Sequence, residues 1–396
     1  MAMEEYQELA ARVRAFGERV LAPTIEEEFR EGRSNAQAIP AMAAEGFLGW
    51  SLPPRYGGLG HDYRALAVLC EELGRIDTAH QITVTVHLAL VGLAILQWGT
   101  EEQRSYWLPR LARGERIATF ALTEPGVGSD VGSLIASARR CGDGYVLNGE
   151  KAWISLVDEA DLFLVFATVD RSRRHHGITA FLVERGTPGL STTCYRGKLG
   201  IRAGSTGSVV LQDVRVGKDA LLGHEGEGFA VAMSALGNGL YTVGAGAVGA
   251  AQAALDATVK FLHEIDPRGT GPASSQWIQQ RVANMVCAVE RSRLLIHRAG
   301  AMKNKGVLNA RETGLAKWQA TEAAYQACRD ALEIRETLGP PPYEPFERLL
   351  WNVKGSVIFG GTSQIHTGMQ AGYALGYRRE RAPRCPAPTA VDLAER

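Results

Sequence analysis

The chain has 396 residues, 45% of them hydrophobic and 22% charged, which suits roughly two or three globular domains and excludes disorder as the main state. Its 43 basic residues balance 43 acidic ones, and this neutrality argues against nucleic acid or an anionic membrane as the main partner. The first residues lack the basic and apolar stretches of a signal peptide, and no run is expected to approach about 18 uncharged apolar residues. We therefore expect a cytoplasmic protein with no nucleic-acid or membrane partner.

Residues 1–116 are predicted to form a helical domain. Apolar side chains recur near the 3.6-residue period of a helix in Glu4–Val20, Tyr63–Leu73 and Val84–Trp98. Thr100 with Gln103 three residues later predicts a capping box at the start of a further helix.

Residues 117–227 have a different pattern, which predicts a β-domain. Short apolar or alternating runs are separated by Gly, Asp and Pro, and Gly142–Tyr145 is typical of a hairpin turn. No segment between these runs is long enough for a helical crossover, so an antiparallel sheet or small barrel is expected.

Residues 228–396 are predicted to be helical again, followed by an extended or frayed Pro-rich tail. The predicted helices are Phe229–Ile265, Gln276–Asn304, Asn309–Leu338 and Tyr343–Phe359. Helices, then a sheet, then helices indicate an α+β fold with the sheet in the middle of the chain.

The cysteines indicate neither a metal site nor a disulfide framework. They are scattered and contain no CxxC pair, so reduced thiols and no bound metal are expected. The six are Cys70, Cys141, Cys194, Cys287, Cys328 and Cys385.

Three segments carry the residue types of a cofactor site. The Gly-rich turn TEPGVGSD (Thr123–Asp130) offers hydroxyls and free backbone N–H groups that can bind a heteroaromatic edge or a phosphate. KAWIS (Lys151–Ser155) adds a Trp that can stack on a flat ring. FGGTSQI (Phe359–Ile365) precedes a helix, whose N-terminus favours phosphate. A plain β-turn, a core or surface Trp and an ordinary N-cap are the alternatives.

Five segments together resemble the acyl-CoA dehydrogenase family, in its order and spacing over nearly the whole chain: FALTEPGVGSD, KAWIS, LGIRAGSTGSVVLQDVRV, GEGFAVAMSAL and FGGTSQIH. The resemblance implies an N-terminal α-helical domain, a central antiparallel β-domain and a C-terminal four-helix bundle. It also implies FAD held between the β-domain and the bundle, an acyl thioester of CoA or acyl carrier protein as substrate, and a homodimer or homotetramer. Electron-transfer flavoprotein or O2 would accept the electrons.

The resemblance assigns five residues to the flavin ring. Phe120, Leu122 and Thr123 would contact it, with Thr123 hydrogen-bonded to its polar edge. Trp153 would lie against the isoalloxazine, and Ser155 would face the region of its N5 atom.

Three further residues are assigned by the resemblance to the polar parts of the ligands. Ser129 would contact the pyrophosphate of FAD or the thioester arm of the substrate. Thr362 and Gln364 would hold the phosphate and adenosine end of FAD.

The catalytic glutamate of the family has no counterpart at its usual positions. It would remove the α-proton of the thioester, a task for which a buried carboxylate is suited. It normally precedes the GT of the GTS motif, where this chain has Gly360, and some members place it on the long helix, here at Gly239. The catalytic base is therefore unassigned.

Three hypotheses follow from this departure. The first is a dehydrogenase whose base comes from elsewhere or whose substrate has a more acidic proton, with Asn238, Tyr241, Glu333 or Glu336 as candidate helpers, or with a small pocket opened by the two glycines. The second is a flavin-dependent monooxygenase, which needs no such base. The third is a non-catalytic flavin-binding protein. Preserved flavin-side motifs favour the first two.

Overall fold

The computed structural model describes residues 3–395. Its N-terminal region is helical. A π-helical turn at Gly17–Leu21 continues the first helix, and another at Val84–Gly92 joins the fifth helix to the sixth. The capping box is confirmed: the Thr100 hydroxyl accepts from the Gln103 N–H at 3.2 Å, and the Gln103 side chain accepts from the Thr100 N–H at 3.1 Å. The helices are α1 (Met3–Phe16), α2 (Ile25–Glu31), α3 (Ala38–Ala44), α4 (Tyr63–Ile76), α5 (Thr78–Thr83), α6 (Leu93–Trp98) and α7 (Glu101–Ala112).

The helical stretch Thr78–Trp98 corrects one sequence expectation. This helical stretch has 21 residues, and an 18-residue window of it has a mean hydropathy of 1.7, enough by length and composition to cross a membrane, whereas no such run was predicted. In the described part of the chain 94% of the apolar window is buried inside the protein, as in the core helix of a globular domain.

The central sheet has seven strands in the order β1-β4-β2-β3-β7-β6, with β5 paired to β4. Most pairs are antiparallel, and the predicted turn joins β2 to β3 with Cys141 opposite Gly144. β1 and β4 are parallel, with Phe120 opposite Leu164; the β2–β3 hairpin supplies the long return in place of a helix. The strands are β1 (Ala118–Ala121), β2 (Ser137–Cys141), β3 (Gly144–Ser155), β4 (Leu162–Thr168), β5 (Ile178–Glu184), β6 (Leu190–Cys194) and β7 (Thr206–Val216).

The C-terminal region is built around one long helix. α8 packs against α9, α10 and α11, and also against α4 of the N-terminal region. At the α4–α8 crossing a Cβ on Gly249 would lie 1.9 Å from the Glu71 carbonyl oxygen, so the close approach requires glycine. The helices are α8 (Gly228–Ile265), α9 (Gln276–Asn304), α10 (Ala310–Leu338), α11 (Phe346–Ser356), α12 (Ser363–Ala374) and α13 (Ala390–Ala394).

The Pro-rich tail is extended as predicted, but it is not frayed. The Arg384 guanidinium donates to both carboxylate oxygens of Glu227, at 2.7 and 2.8 Å. Thr389 caps α13, and Leu393 of that helix is completely buried. The tail is therefore anchored to the start of α8 and to the core.

Candidate active site

Two of the three predicted segments lie side by side at the edge of the sheet domain. The Ala152 N–H donates to the Thr123 carbonyl at 2.9 Å, and the Thr119 hydroxyl donates to the Ser155 carbonyl at 2.5 Å. These bonds fix the end of β1 against the end of β3. Five predicted ring contacts are thereby brought together: Phe120, Leu122, Thr123, Trp153 and Ser155.

A buried ion pair that the sequence analysis missed supports this junction. The Lys151 ammonium donates to the Glu124 carboxylate at 2.8 Å and to the Leu122 carbonyl at 3.1 Å. The same carboxylate accepts from the backbone N–H groups of Ile135 and Ala136, at 2.8 and 2.9 Å. Burial lowers the pKa of Lys151 to about 8. The Gly-rich turn therefore begins at a rigid junction in which the buried charged groups of Lys151 and Glu124 are hydrogen-bonded.

Trp153 stands out of the sheet in a strained conformation. Its φ is +59°, rare for a residue with a side chain, and the β3–β7 register shifts between Lys151 and Ile154. A bulge of this kind re-aims a side chain. The indole is 65% exposed and has the Tyr195 ring, 5.2 Å away, as an edge-on neighbour. The structure thus holds a large flat ring towards solvent, and the strained backbone of Trp153 costs free energy.

The rest of the Gly-rich turn is open. A Cβ at Gly126 or Gly128 would meet nothing within 4 Å, and Ser129 is exposed. Phe120 is half-buried against Phe166, whereas Leu122 is buried, so only its backbone can face a ligand.

The third segment lies on a different element. Thr362 is the N-cap of α12, and its hydroxyl accepts from the Ile365 N–H at 3.2 Å. Gln364 is exposed, and the Ser363 hydroxyl donates to the Glu322 carboxylate. Among the residues described, no hydrogen bond or ion pair joins Thr362 or Gln364 to the Thr123 and Trp153 segments.

Two buried basic side chains hold the turn before α12. The Lys317 ammonium donates to the Gly361 carbonyl at 2.8 Å, and burial lowers its pKa to about 7. The His366 ring donates from Nε2 to the Gly360 carbonyl at 3.3 Å, which leaves its buried Nδ1 without a partner. Burial, with the nearby Lys317 charge, lowers the pKa of His366 to about 4, so this ring is neutral at pH 7.

The two positions where the family carries a glutamate differ in the space around them. A Cβ at Gly360 would have only the Leu240 side chain within 4 Å, at 3.5 Å. A Cβ at Gly239 would lie 2.6 Å from the Leu90 side chain. The idea of one pocket opened by both glycines is therefore wrong at Gly239, because Leu90 from the N-terminal region fills that space.

The four residues that were candidates to help in proton removal lie in surroundings different from those of the Gly360 turn. The Asn238 amide oxygen accepts from the Lys303 ammonium at 3.0 Å, and the Tyr241 hydroxyl donates to the Tyr63 carbonyl at 2.8 Å, both in the buried interface with α4 and α9. Glu333 is paired with Arg281 at 3.0 Å. At 1.5 Å per residue Glu333 and Glu336 lie about 24 Å or more along α10 from Lys317. Neither carboxylate reaches the Gly360 turn of its own subunit.

Comparison with known proteins agrees with this architecture. Models of the acyl-CoA dehydrogenase N-terminal, middle and C-terminal domains match residues 3–115, 119–214 and 226–373. The short-chain specific acyl-CoA dehydrogenase of Bos taurus mitochondria is 37% identical over 94% of this chain and 90% of its own length.

Two solved structures share this fold, and one of them contains FADH2. A glutaryl-CoA dehydrogenase of Mycobacterium smegmatis in complex with FADH2 superimposes with a TM-score of 0.88 and 28% identity, over 96% of this chain and 97% of that one. The prolyl acyl carrier protein oxidase AnaB superimposes with a TM-score of 0.90 and 29% identity, over 94% of this chain and 100% of that one. The fold and site thus define an FAD-dependent oxidoreductase. The chain belongs to the acyl-CoA dehydrogenase family.

Proposed function

We propose that this chain oxidises an acyl thioester carried by CoA or by an acyl carrier protein, with FAD as the oxidant. The observation that carries the proposal is the junction of the Thr123 and Trp153 segments, which presents a strained, exposed indole beside an open Gly-rich turn. Strain of this kind persists where the surrounding structure enforces it, commonly at ligand sites. Membership of the acyl-CoA dehydrogenase family supports thioester oxidation as the reaction.

The residues present fit FAD. The ring would lie against Trp153 and the ends of β1 and β3, held by Phe120, Leu122, Thr123 and Ser155. When bound, FAD supplies the acceptor for the hydride that leaves the substrate.

The polar end of FAD fits the start of α12. Thr362 and Gln364 lie at the start of this helix, whose N-terminal dipole favours phosphate, and among the residues described the Gln364 N–H is the donor of the first turn that has no partner. Ser129, exposed on the open turn, would contact the pyrophosphate or the thioester arm.

Proton removal is the step in which this chain departs from its relatives. Forming the double bond takes a proton from Cα and a hydride from Cβ of the acyl group. A Cβ at Gly360 would contact Leu240, and the carbonyls of Gly360 and Gly361 accept from His366 and Lys317, none of which is a carboxylate. The Glu322 carboxylate near this turn already accepts from the Ser363 hydroxyl. We infer that the substrate has an α-proton acidic enough to be taken up by solvent water in place of a glutamate.

The electron acceptor and the assembly are part of the same proposal. Electron-transfer flavoprotein or O2 would reoxidise the enzyme, and the chain would act as a homodimer or homotetramer in the cytoplasm. The family relationship supports the electron acceptor and the assembly, whereas the cytoplasmic location is a prediction from the sequence alone.

The test is reduction of the FAD-loaded protein by thioesters without oxygen. Butyryl-pantetheine and a thioester with an electron-withdrawing β-substituent would be mixed with it while the flavin absorbance is recorded. We expect the activated thioester to bleach the flavin much faster than the butyryl compound. Failure of both to bleach it would contradict the proposal.

A flavin-dependent monooxygenase is the second candidate. It is favoured by the lack of a carboxylate at Gly360 and by the closure of Gly239 by Leu90. Such an enzyme transfers one atom of O2 to the substrate and reduces the other to water with two electrons from NAD(P)H. Rapid oxygen consumption by NAD(P)H-reduced protein, with an oxygenated thioester as product, would establish this activity instead.

A further inference from the structure

A groove of about 480 Å³ lies on the sheet domain, and none of the predicted flavin-ring residues lines it. It runs between β2 and the loop that connects β4 to β5, Arg171–Gly177. Its polar walls are Arg139, Arg140, Asp170, Arg171, Arg173 and Glu225. Four arginines against two carboxylates make this groove basic on a chain whose formal net charge is +0.

Much of this positive charge is not neutralised within the chain. The Arg140 guanidinium binds both oxygens of Glu225, at 2.8 and 2.7 Å. Asp170 accepts from the Ser172 N–H and hydroxyl, at 2.9 and 2.7 Å. The side chains of Arg139, Arg171 and Arg173 are exposed and make no hydrogen bond or ion pair with the residues described, although the charge of Arg173 is attracted to the carboxylates of Asp170 and Glu225. We call these three residues the arginine face.

The loop that carries two of these arginines is joined to the candidate active site. Arg174 pairs with Asp130, the last residue of the Gly-rich turn, at 3.3 Å. Its φ of +48° is strained for a residue with a side chain. The His175 ring lies 5.3 Å from the Phe229 ring in the first turn of α8. A partner on the arginine face would therefore sit beside the open turn at Ser129.

We infer that the arginine face docks the acidic surface of an acyl carrier protein, whose phosphopantetheine thioester then enters beside the Gly-rich turn. This inference rests on the proposed thioester oxidation. The three guanidinium groups stand on a strand and on a separate loop, around a groove open to solvent. Carboxylates spaced along a protein surface complement such a spread of charge, whereas a phosphate is best held by donors that converge on one point. AnaB, on the same fold, acts on a carrier protein.

The experiment reverses the charge of the arginine face. The variant is Arg139→Glu/Arg171→Glu/Arg173→Glu, and the control is Lys218→Glu/Lys260→Glu/Arg291→Glu. The control makes the same change of charge at three exposed residues elsewhere whose side chains also make no hydrogen bond or ion pair with the residues described. Both would be compared with wild type as FAD-loaded protein.

The probe is a holo acyl carrier protein of fatty-acid synthesis, and its binding is measured at low and at physiological ionic strength. We expect wild type and control to bind it with an affinity that falls as salt rises, and the variant to bind about tenfold or more weakly with little salt dependence. No binding by wild type at low salt, or equal binding by all three proteins, would overturn the inference.

Turnover separates this inference from the proposed function. The same acyl group would be offered on the carrier protein, on CoA and on pantetheine. We expect the variant to lose kcat/KM about tenfold or more on the carrier protein and to keep it on pantetheine. An equal loss on CoA would assign the face to the CoA phosphates and overturn the inference. If no thioester reduces the flavin although the carrier protein binds as expected, the proposed function fails and the docking surface stands.

Discussion

Gly360 is the residue at which the chemistry of this chain can be tested most directly. Gly360→Glu adds a carboxylate where the only side chain near a new Cβ is Leu240, at 3.5 Å. The φ of +63° costs the new residue about 1–2 kcal/mol of stability. We expect flavin reduction by butyryl-pantetheine to accelerate about 100-fold, because general bases typically contribute this much or more. Stopped-flow absorbance would measure the rate.

Gly360→Gln is the matched control for this gain. It carries the same backbone strain and nearly the same side-chain volume, but it cannot accept the proton. Equal acceleration by Glu and Gln, or none by Glu in a folded, FAD-bound protein, would show that the lost carboxylate does not limit the reaction.

Trp153 tests whether backbone strain is retained for ligand binding. Trp153→Gly removes the exposed indole and also relieves the strain at φ +59°. We expect the free energy of unfolding to stay within about 0.5 kcal/mol of wild type, because the relieved strain offsets the lost Tyr195 contact. The Kd for FAD, measured by flavin fluorescence, should rise about tenfold or more.

Trp153→Phe keeps a ring and the strained backbone, so it should retain most of the FAD affinity. A loss of affinity as large as in the Gly variant would mean that the indole has a role other than stacking. A large loss of stability in the Gly variant would mean that Trp153 is a packing residue.

The lowered pKa of Lys317 makes the stability of the protein depend on pH. Burial lowers its pKa from 10.5 in an unfolded chain to about 7 in the folded protein. Between these values the unfolded state binds more protons, so stability rises with pH from about 7 to 10.5 and the cost of the buried charge is fully present below pH 7. Relative to Lys317→Met, wild type should gain stability from pH 7 to pH 9 in denaturant titrations. Lys305→Met, which removes an exposed lysine, is the control.

At the scale of elements, glycine sets how closely α4 and α8 approach. Gly249→Ala puts a Cβ 1.9 Å from the Glu71 carbonyl, a backbone atom that cannot turn away, and should cost about 3 kcal/mol. Gly237→Ala, on the same helix, meets nothing within 4 Å and should stabilise by about 0.5–1 kcal/mol. Urea unfolding of both variants would measure the difference, and a similar effect of both would refute the packing argument.

Elements with strong local signals could be predicted from the sequence, and contacts between distant segments could not. The predicted α9, Gln276–Asn304, has the bounds found in the structure, and the Thr100–Gln103 cap depends on residues three apart. In contrast, the Glu124–Lys151 pair joins residues 27 positions apart, one in the turn after β1 and the other on β3. Leu90 closes the space at Gly239 from another region of the chain. No local periodicity encodes either contact.

At the scale of the whole molecule, one buried network ties the three regions together. The Arg348 guanidinium on α11 donates to Glu26 at 2.8 Å and to Asp77 at 3.1 Å, both in the N-terminal region. Asn352 on the same helix donates to Asp77 at 2.7 Å and accepts from the Ile201 N–H of the sheet domain, also at 2.7 Å. Since the sheet domain and the start of α12 carry different parts of the candidate site, this network maintains their relative position.

Breaking the network by removing its cation should therefore destabilise the entire protein. Arg348→Met leaves the buried Asp77 carboxylate without its charge partner and should cost about 3–5 kcal/mol. Arg113→Met removes the partner of Glu115 in a pair whose two side chains are each about half exposed, and it should have little effect. Adding Asp77→Asn to Arg348→Met removes the stranded charge while keeping an oxygen for the Ala79 N–H, so part of the loss should return. If the double variant is no more stable than the single one by denaturant unfolding, desolvation of Asp77 is not the cause.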